Sequence, residues 1–137
     1  MARALVFIGA AIFIALGTTH GLLALRDISN PKAFTPIDPN VRQAMQGARL
    51  AFNPRANVWQ AWLGFNISHS LGLLMFGVAT AWRGWRIETV AVTGPLLAVA
   101  IVIGLIYFIL SMRFWFYAPA VASAVGTTCF AVAWWLL

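Results

Sequence analysis

Acidic residues are almost missing from this sequence: Asp27, Asp38 and Glu88 are the whole complement, and charged residues of both signs make up only 9% of it. With 62% hydrophobic residues, so little charge lies far outside the composition of soluble domains. Cysteine occurs once, at Cys129, which excludes an internal disulfide and a cysteine metal cluster. Lysine also occurs once, so the net charge of +6 rests on eight arginines. Nucleic-acid binding needs basic residues clustered on a soluble surface, whereas these flank apolar runs. Arginine at span ends, reaching toward lipid headgroups, accounts for them without a nucleic-acid partner.

What is present instead is a set of long uncharged runs at about residues 4–25, 58–82, 89–111 and 114–137. Each exceeds the roughly 20 residues that a helix needs to cross a bilayer core. The pattern predicts an all-α fold, a transmembrane four-helix bundle that forms a single membrane domain over 1–137. The first run shares features with a signal sequence, namely Arg3 before an apolar stretch and small residues near Ala15 and Gly17. It continues to Leu25, beyond the usual signal core, and is read as a retained span.

The connection of residues 26–57 holds five of the nine basic residues and two of the three acids. Inside it, Asp38-Pro39 supplies an N-cap followed by proline at the first helical position. Val41, Ala44, Met45, Ala48, Ala51 and Phe52 then share a helical face, opposite Arg42, Gln43, Gln46 and Arg49. The spacing predicts a short interfacial amphipathic helix ended by Asn53-Pro54, with a structureless polar loop as the alternative. Tight turns are expected at Arg83-Gly84-Trp85-Arg86 and around Met112-Arg113, which makes spans two to four antiparallel neighbours. Trp82, Trp85, Trp115, Tyr117, Trp134 and Trp135 lie near span ends, where aromatic rings favour the interface. Arg26, Lys32, Arg42, Arg49, Arg55 and Arg113 fall on one side of the membrane and Arg3, Arg83 and Arg86 on the other. The excess places the loop of residues 26–57 in the cytoplasm and the termini outside.

No Asp or Glu falls within the four runs, so proton relays and carboxylate-bridged metal sites are excluded from them. The two histidines, His20 and His69, do fall within them, and ionisable groups at that depth carry a functional hypothesis by default. At 100° per residue, Trp62, Asn66, His69 and Leu73 form one stripe of span two, while Gly64, Ser68 and Gly72 form another that suits close helix approach. On span one, Gly9, Phe13, Gly17, His20 and Ala24 share an inward face. Counted at 1.5 Å per residue, His20 lies roughly 9 Å below the Arg26 end and His69 roughly 17 Å below Val58. That offset argues against haem b held by His20 and His69, the one cofactor alternative; no cofactor or metal is expected. His20, Trp62, Asn66, His69 and Ser70 are therefore the expected lining of a pocket roofed by the interfacial helix. The bland alternative is that each histidine bonds a neighbouring helix and serves as glue. In spans three and four, Thr93-Gly94-Pro95 suggests a kink, and the pairs Tyr107/Ser111 and Ser123/Thr127 read as packing positions.

The run Val58-Trp59-Gln60-Ala61-Trp62-Leu63-Gly64-Phe65-Asn66-Ile67-Ser68-His69-Ser70, after Thr18-Thr19-His20-Gly21, resembles a family of uncharacterised bacterial four-span membrane proteins. That resemblance implies a bacterial inner-membrane protein and carries no activity. Asp38-Pro39-Asn40-Val41-Arg42 and the Arg49 to Asn53 spacing also resemble the MAPEG family of small four-span glutathione-dependent membrane enzymes. Ala56 stands where that family has Glu, so the likeness implies architecture and not glutathione binding. Taken together, the sequence reads as a small membrane protein that binds a hydrophobic, lipid-like molecule or serves as an accessory subunit. The alternative is an enzyme acting on a lipid, quinone or sterol-like substrate, with His20 and His69 as candidate catalytic residues. Self-association or membership of a larger membrane complex is expected from the small-residue stripes.

Overall fold

A computed structural model of the protein describes residues 1–87 and 90–137, with residues 90–92 described by their backbone alone. In chain order the elements are α1 (Ala2–Ser29), α2 (Pro39–Gly47), β1 (Arg49–Leu50), β2 (Asn53–Asn57), α3 (Val58–Trp85), α4 (Val90–Phe114) and α5 (Tyr117–Trp135). Helices α1, α3 and α5, and the Thr93–Phe114 stretch of α4, are long and apolar enough to cross a bilayer. The fold is all-α, and the chain is an integral membrane protein. Helices suit that setting because they satisfy every backbone group within the segment. Large apolar side chains such as Ile8, Leu22, Val102, Ile106 and Ile109 stand exposed, as surfaces solvated by lipid tails do.

The chain divides into two compact units, Met1–Leu16 with Leu73–Leu137, and Gly17–Gly72. The first unit gathers the beginning of α1, the end of α3, and α4 and α5 into a four-helix bundle. Its centre is Phe13, fully buried, with the rings of Phe76 at 4.8 Å, Phe130 at 6.0 Å and Tyr107 at 6.1 Å. Glycine lets the backbones close in around these rings. A Cβ on Gly77 would lie 2.8 Å from the Ile14 nitrogen and 2.9 Å from the Ala10 carbonyl oxygen, and one on Gly9 would lie 2.9 Å from the Gly126 carbonyl oxygen. Ser123 and Thr127, buried on α5, turn their hydroxyls to the Pro119 and Ser123 carbonyls of their own helix. Pro95 lies inside α4, which continues through it.

Several boundaries differ from the sequence reading. Helix α1 continues past Leu25 to Ser29, and so takes Asp27 into its last turn. The expected turn at Arg83–Arg86 is helical as far as Trp85; Gly84 serves close packing there, since a Cβ would meet Val6 at 3.2 Å and Phe7 at 3.4 Å. Likewise α4 runs through Met112 and Arg113 to Phe114. The expected start of span three at Thr89 lies outside the described residues.

The second unit contains the end of α1, the start of α3 and the segment between them. Asp38 caps α2 as the sequence predicts, its Oδ1 accepting from the Asn40 N–H at 2.8 Å with Pro39 in the first turn. The helix nevertheless ends at Gly47 and not at Asn53, because glycine costs a helix about 1 kcal/mol against alanine and the next residues find a different partner. Ala48 is extended, and Arg49–Leu50 pairs antiparallel with Asn53–Asn57, in register Arg49 to Asn57 and Leu50 to Asn53. This small hairpin replaces the end of the expected helix. None of the residues of α2 is buried.

Candidate functional site

Spacing of four and three residues puts Trp62, Asn66 and His69 on one face of α3. Within the same unit His20 projects from α1 and meets that face. Asn66 is fully buried and uses both ends of its amide: Nδ2 donates to the Trp62 carbonyl oxygen at 2.8 Å, and Oδ1 lies 3.1 Å from His20 Nε2. Because the amide nitrogen is committed to a carbonyl, the oxygen is the end that faces His20. His20 Nε2 therefore carries the proton and donates, which fixes the tautomer of the neutral ring. The indole Nε1 of Trp62 donates to the Phe34 carbonyl oxygen at 2.8 Å.

The two histidine rings touch edge to face, with centroids 5.2 Å apart at 63°. Phe34 covers His20 at 4.4 Å, while Phe65 stacks on His69 at 5.9 Å and on Trp62 at 6.3 Å. The expected offset in depth is thus absent. Its cause is the longer α1: counted from Ser29 instead of Arg26, His20 lies nine residues in, roughly 13 Å, between the levels of Asn66 and His69. Ligation of one haem by both histidines would need the rings apart, on opposite faces of the porphyrin, and here they lie in edge contact. Among the described residues, no three or more His, Cys, Asp or Glu side chains gather as a metal site.

Ser70 sits at the close approach of the two helices. A Cβ added to Gly21 would meet its Oγ at 3.0 Å, and its hydroxyl already donates to the Ile67 carbonyl at 2.7 Å. Of the five expected site residues, His20, Trp62, Asn66 and His69 form one bonded and stacked group, and Ser70 packs beside it. The stripe Gly64, Ser68 and Gly72 is exposed, and a Cβ on Gly64 would have no neighbour within 4 Å. Both histidines are half-buried, and Phe65 beside His69 is 54% exposed, so the group borders the lipid-facing surface.

One functional residue is missing from the sequence reading. Asp27 is fully buried, and its carboxylate gathers the following loop. Oδ1 accepts from the N–H groups of Lys32 at 2.8 Å and Ala33 at 2.9 Å; Oδ2 accepts from the N–H of Phe34 at 2.7 Å and the hydroxyl of Thr35 at 3.2 Å. Four donors around one side chain make a cradle for an acceptor-only group. The cradle presents Phe34, whose ring lies on His20 and whose carbonyl anchors Trp62. The cover expected from the interfacial helix therefore comes from the loop before it. Asp27 two residues beyond the expected end of span one, followed by Asn30-Pro31, was the available signal.

No protein-family model matches the chain, and neither a curated protein nor a solved structure does.

Proposed function

We propose that the protein binds a hydrophobic, lipid-like molecule whose polar head carries a hydroxyl or carbonyl oxygen, at the His20–His69 pair. The observation that carries this reading is that Asn66 holds His20 in one tautomer while its ring stays in contact with half-buried His69. Helix glue alone needs one histidine and one acceptor; a second imidazole and three aromatic rings go beyond that need. The aromatic faces suit the apolar body of such a molecule, and the imidazoles suit its oxygen. Entry from the bilayer side needs no water-filled channel, because the group borders the lipid-facing surface.

The test is mass spectrometry of small molecules extracted from protein purified in mild detergent. The wild type retains a defined hydrophobic compound, and His20→Ala, His69→Ala or the double variant loses it. An empty wild type, or equal retention by the double variant, overturns the reading.

A second reading, catalysis on the same molecule with His20 or His69 as general base, is favoured by the fixed tautomer of His20, since a base must present a defined nitrogen. It predicts a mass change in the retained compound over time that His20→Gln or His69→Gln abolishes while binding persists. As to placement, six basic residues against three support a cytoplasmic loop of residues 26–57 in a bacterial inner membrane. Labelling of Gln46→Cys in spheroplasts by an impermeant maleimide would overturn that orientation. The exposed Gly64, Ser68 and Gly72 strip supports close approach of another helix, as in a homo-oligomer or as an accessory subunit. Native mass spectrometry in mild detergent reads that out, and a bare monomer argues against it.

A further inference from the structure

A cavity of about 200 Å³ lies within the four-helix unit, away from the histidines in sequence and in its lining. Phe76, Thr80 and Arg83 of α3 face it across from Leu97, Ala100 and Ile103 of α4. Its walls are almost wholly apolar. Thr80 turns its hydroxyl to the Phe76 and Gly77 carbonyls of its own helix, so it offers the cavity no donor. Arg83 is different: its Nε is buried and has no hydrogen-bond partner among the described residues. A buried N–H on a cationic group left without an acceptor is costly and uncommon in folded proteins.

The position of Arg83 identifies the acceptor it lacks. It stands in the last turn of α3, flanked by Trp82 at 63% exposure and Trp85 at 71%, with Arg86 over the Trp82 ring at 5.6 Å. Exposed tryptophans and arginines together mark the headgroup level of a span end. From that level the lining descends along α3 to Phe76, seven residues or roughly 10 Å toward the middle of the membrane, and along α4 from Leu97 to Ile103. The cavity is therefore long and apolar, with a cation at the headgroup end. An apolar cavity of roughly 150 Å³ is enough to bind a benzene-sized molecule, so this one holds several methylenes of a chain.

We propose that this cavity binds one chain of an anionic amphiphile, with its phosphate or carboxylate head accepting from Arg83. Charge complementarity and the match of the polar end to the headgroup level select this occupant over a neutral or zwitterionic one. Arg83 is the donor in a charge-assisted pair, and Phe76, Leu97 and Ala100 contact the chain. The site is independent of His20 and His69, so variants there leave it intact.

Native mass spectrometry of the full-length protein from mild detergent tests this, with phosphatidylglycerol, phosphatidylcholine of the same chains, oleate and inorganic phosphate as separate probes. The expected result is about tenfold greater retention of phosphatidylglycerol or oleate than of phosphatidylcholine, the size of one charge-assisted bond. Retention of phosphatidylglycerol alone assigns a phosphodiester head, and retention of oleate alone assigns a carboxylate. Arg83→Gln removes the preference, Arg86→Gln keeps it, and Ala79→Phe, which fills the cavity from an exposed position, lowers retention of every chain. Should Arg83→Gln fail to fold, Arg83→Lys keeps a cation but loses the Nε donor, and a reduced preference there carries the same meaning. Equal retention of anionic and zwitterionic lipids, an equal loss in Arg86→Gln, or displacement of the lipid by inorganic phosphate alone would overturn the proposal.

Discussion

Replacing Asp27 by Asn changes one atom of a fully buried side chain and tests the loop cradle directly. Four donors converge on the carboxylate: three backbone N–H groups at 2.8, 2.9 and 2.7 Å and the Thr35 hydroxyl at 3.2 Å. In the better of its two orientations, the Asn carbonyl oxygen keeps Lys32 and Ala33. Its amide nitrogen then faces the Phe34 N–H, donor against donor, while the Thr35 hydroxyl rotates to accept. One charge-assisted bond is lost and one N–H is left unsatisfied, a cost of about 3 kcal/mol. Asp27→Ala strips all three N–H groups of their acceptor and costs more, limited by how far the loop can turn them to water.

Hydrogen exchange read by mass spectrometry over residues 30–36 is the matching assay, because the loss is local and raises the population of the opened loop. A cost of that size makes the amides of 32–34 in Asp27→Asn exchange about a hundredfold faster, with exchange over Phe130 in the four-helix unit unchanged. Exchange within about threefold of wild type would refute the cradle as the force that holds the loop. The same variant tests the coupling to the site. Phe34 lies 4.4 Å from His20 and its carbonyl takes the Trp62 indole, so a freed loop also releases the retained small molecule. A loosened loop with undiminished retention would show that Phe34 is not part of the site.

Three other outcomes follow from the contacts. Asn66→Ala removes the acceptor of His20 and costs about 1 kcal/mol in a thermal melt, the usual worth of an interhelical bond in membranes, but it lowers ligand retention far more; equal retention would detach Asn66 from binding. Gly77→Ala drives a methyl group against the backbone of Ala10 and Ile14 and destabilises by about 1–3 kcal/mol, whereas Gly64→Ala, with no neighbour to meet, gains helix propensity and stabilises the monomer in the melt by up to about 1 kcal/mol. Phe13→Ala opens a cavity among three rings and costs roughly 2 kcal/mol, less than in a soluble core because lipid tails are themselves apolar; detergent melts compare it with Leu22→Ala on the exposed surface, which is near neutral.

The spans were legible in the sequence because a bilayer imposes length and apolarity on each crossing helix, and few other signals share that pattern. The α2 cap was legible for a different reason: Asp38-Pro39 is a local device whose geometry is complete within two residues. Helix ends set in the middle of polar sequence were not legible. Charge predicts a span end at Leu25, yet Arg26 and Asp27 both fit a last helical turn, the one exposed and the other turned back onto its own loop. That three-residue difference misplaced His20 by more than 4 Å in the depth count and hid its contact with His69. The hairpin after Gly47 escaped for the same kind of reason, since two extra alanines and Phe52 continue the apolar face of α2 in a helical projection while the backbone pairs as strand. Loop closure by a carboxylate depends on where residues 32–35 fold back, which no period in the sequence encodes.

The hydroxyls of the spans sharpen the case for the histidine pair. Glue between membrane helices is the competing explanation for each of the two histidines. Yet Ser68, Ser70, Thr80, Ser123, Thr127 and Thr128 all donate to carbonyls of their own helices, three or four residues back. Such bonds satisfy the hydroxyl within the helix and lend little to association between helices. These hydroxyls are thus settled within their own helices, and close packing falls to glycine, as at Gly77 against Ile14. Asn66 behaves otherwise: it takes one local bond to Trp62 and spends its other end on His20, a contact across 46 residues of sequence. A bond that departs from the local pattern of its neighbours, made to a ring already covered by Phe34 and met by His69, is poorly explained by packing. It is well explained by the need to hold one imidazole nitrogen in a defined state.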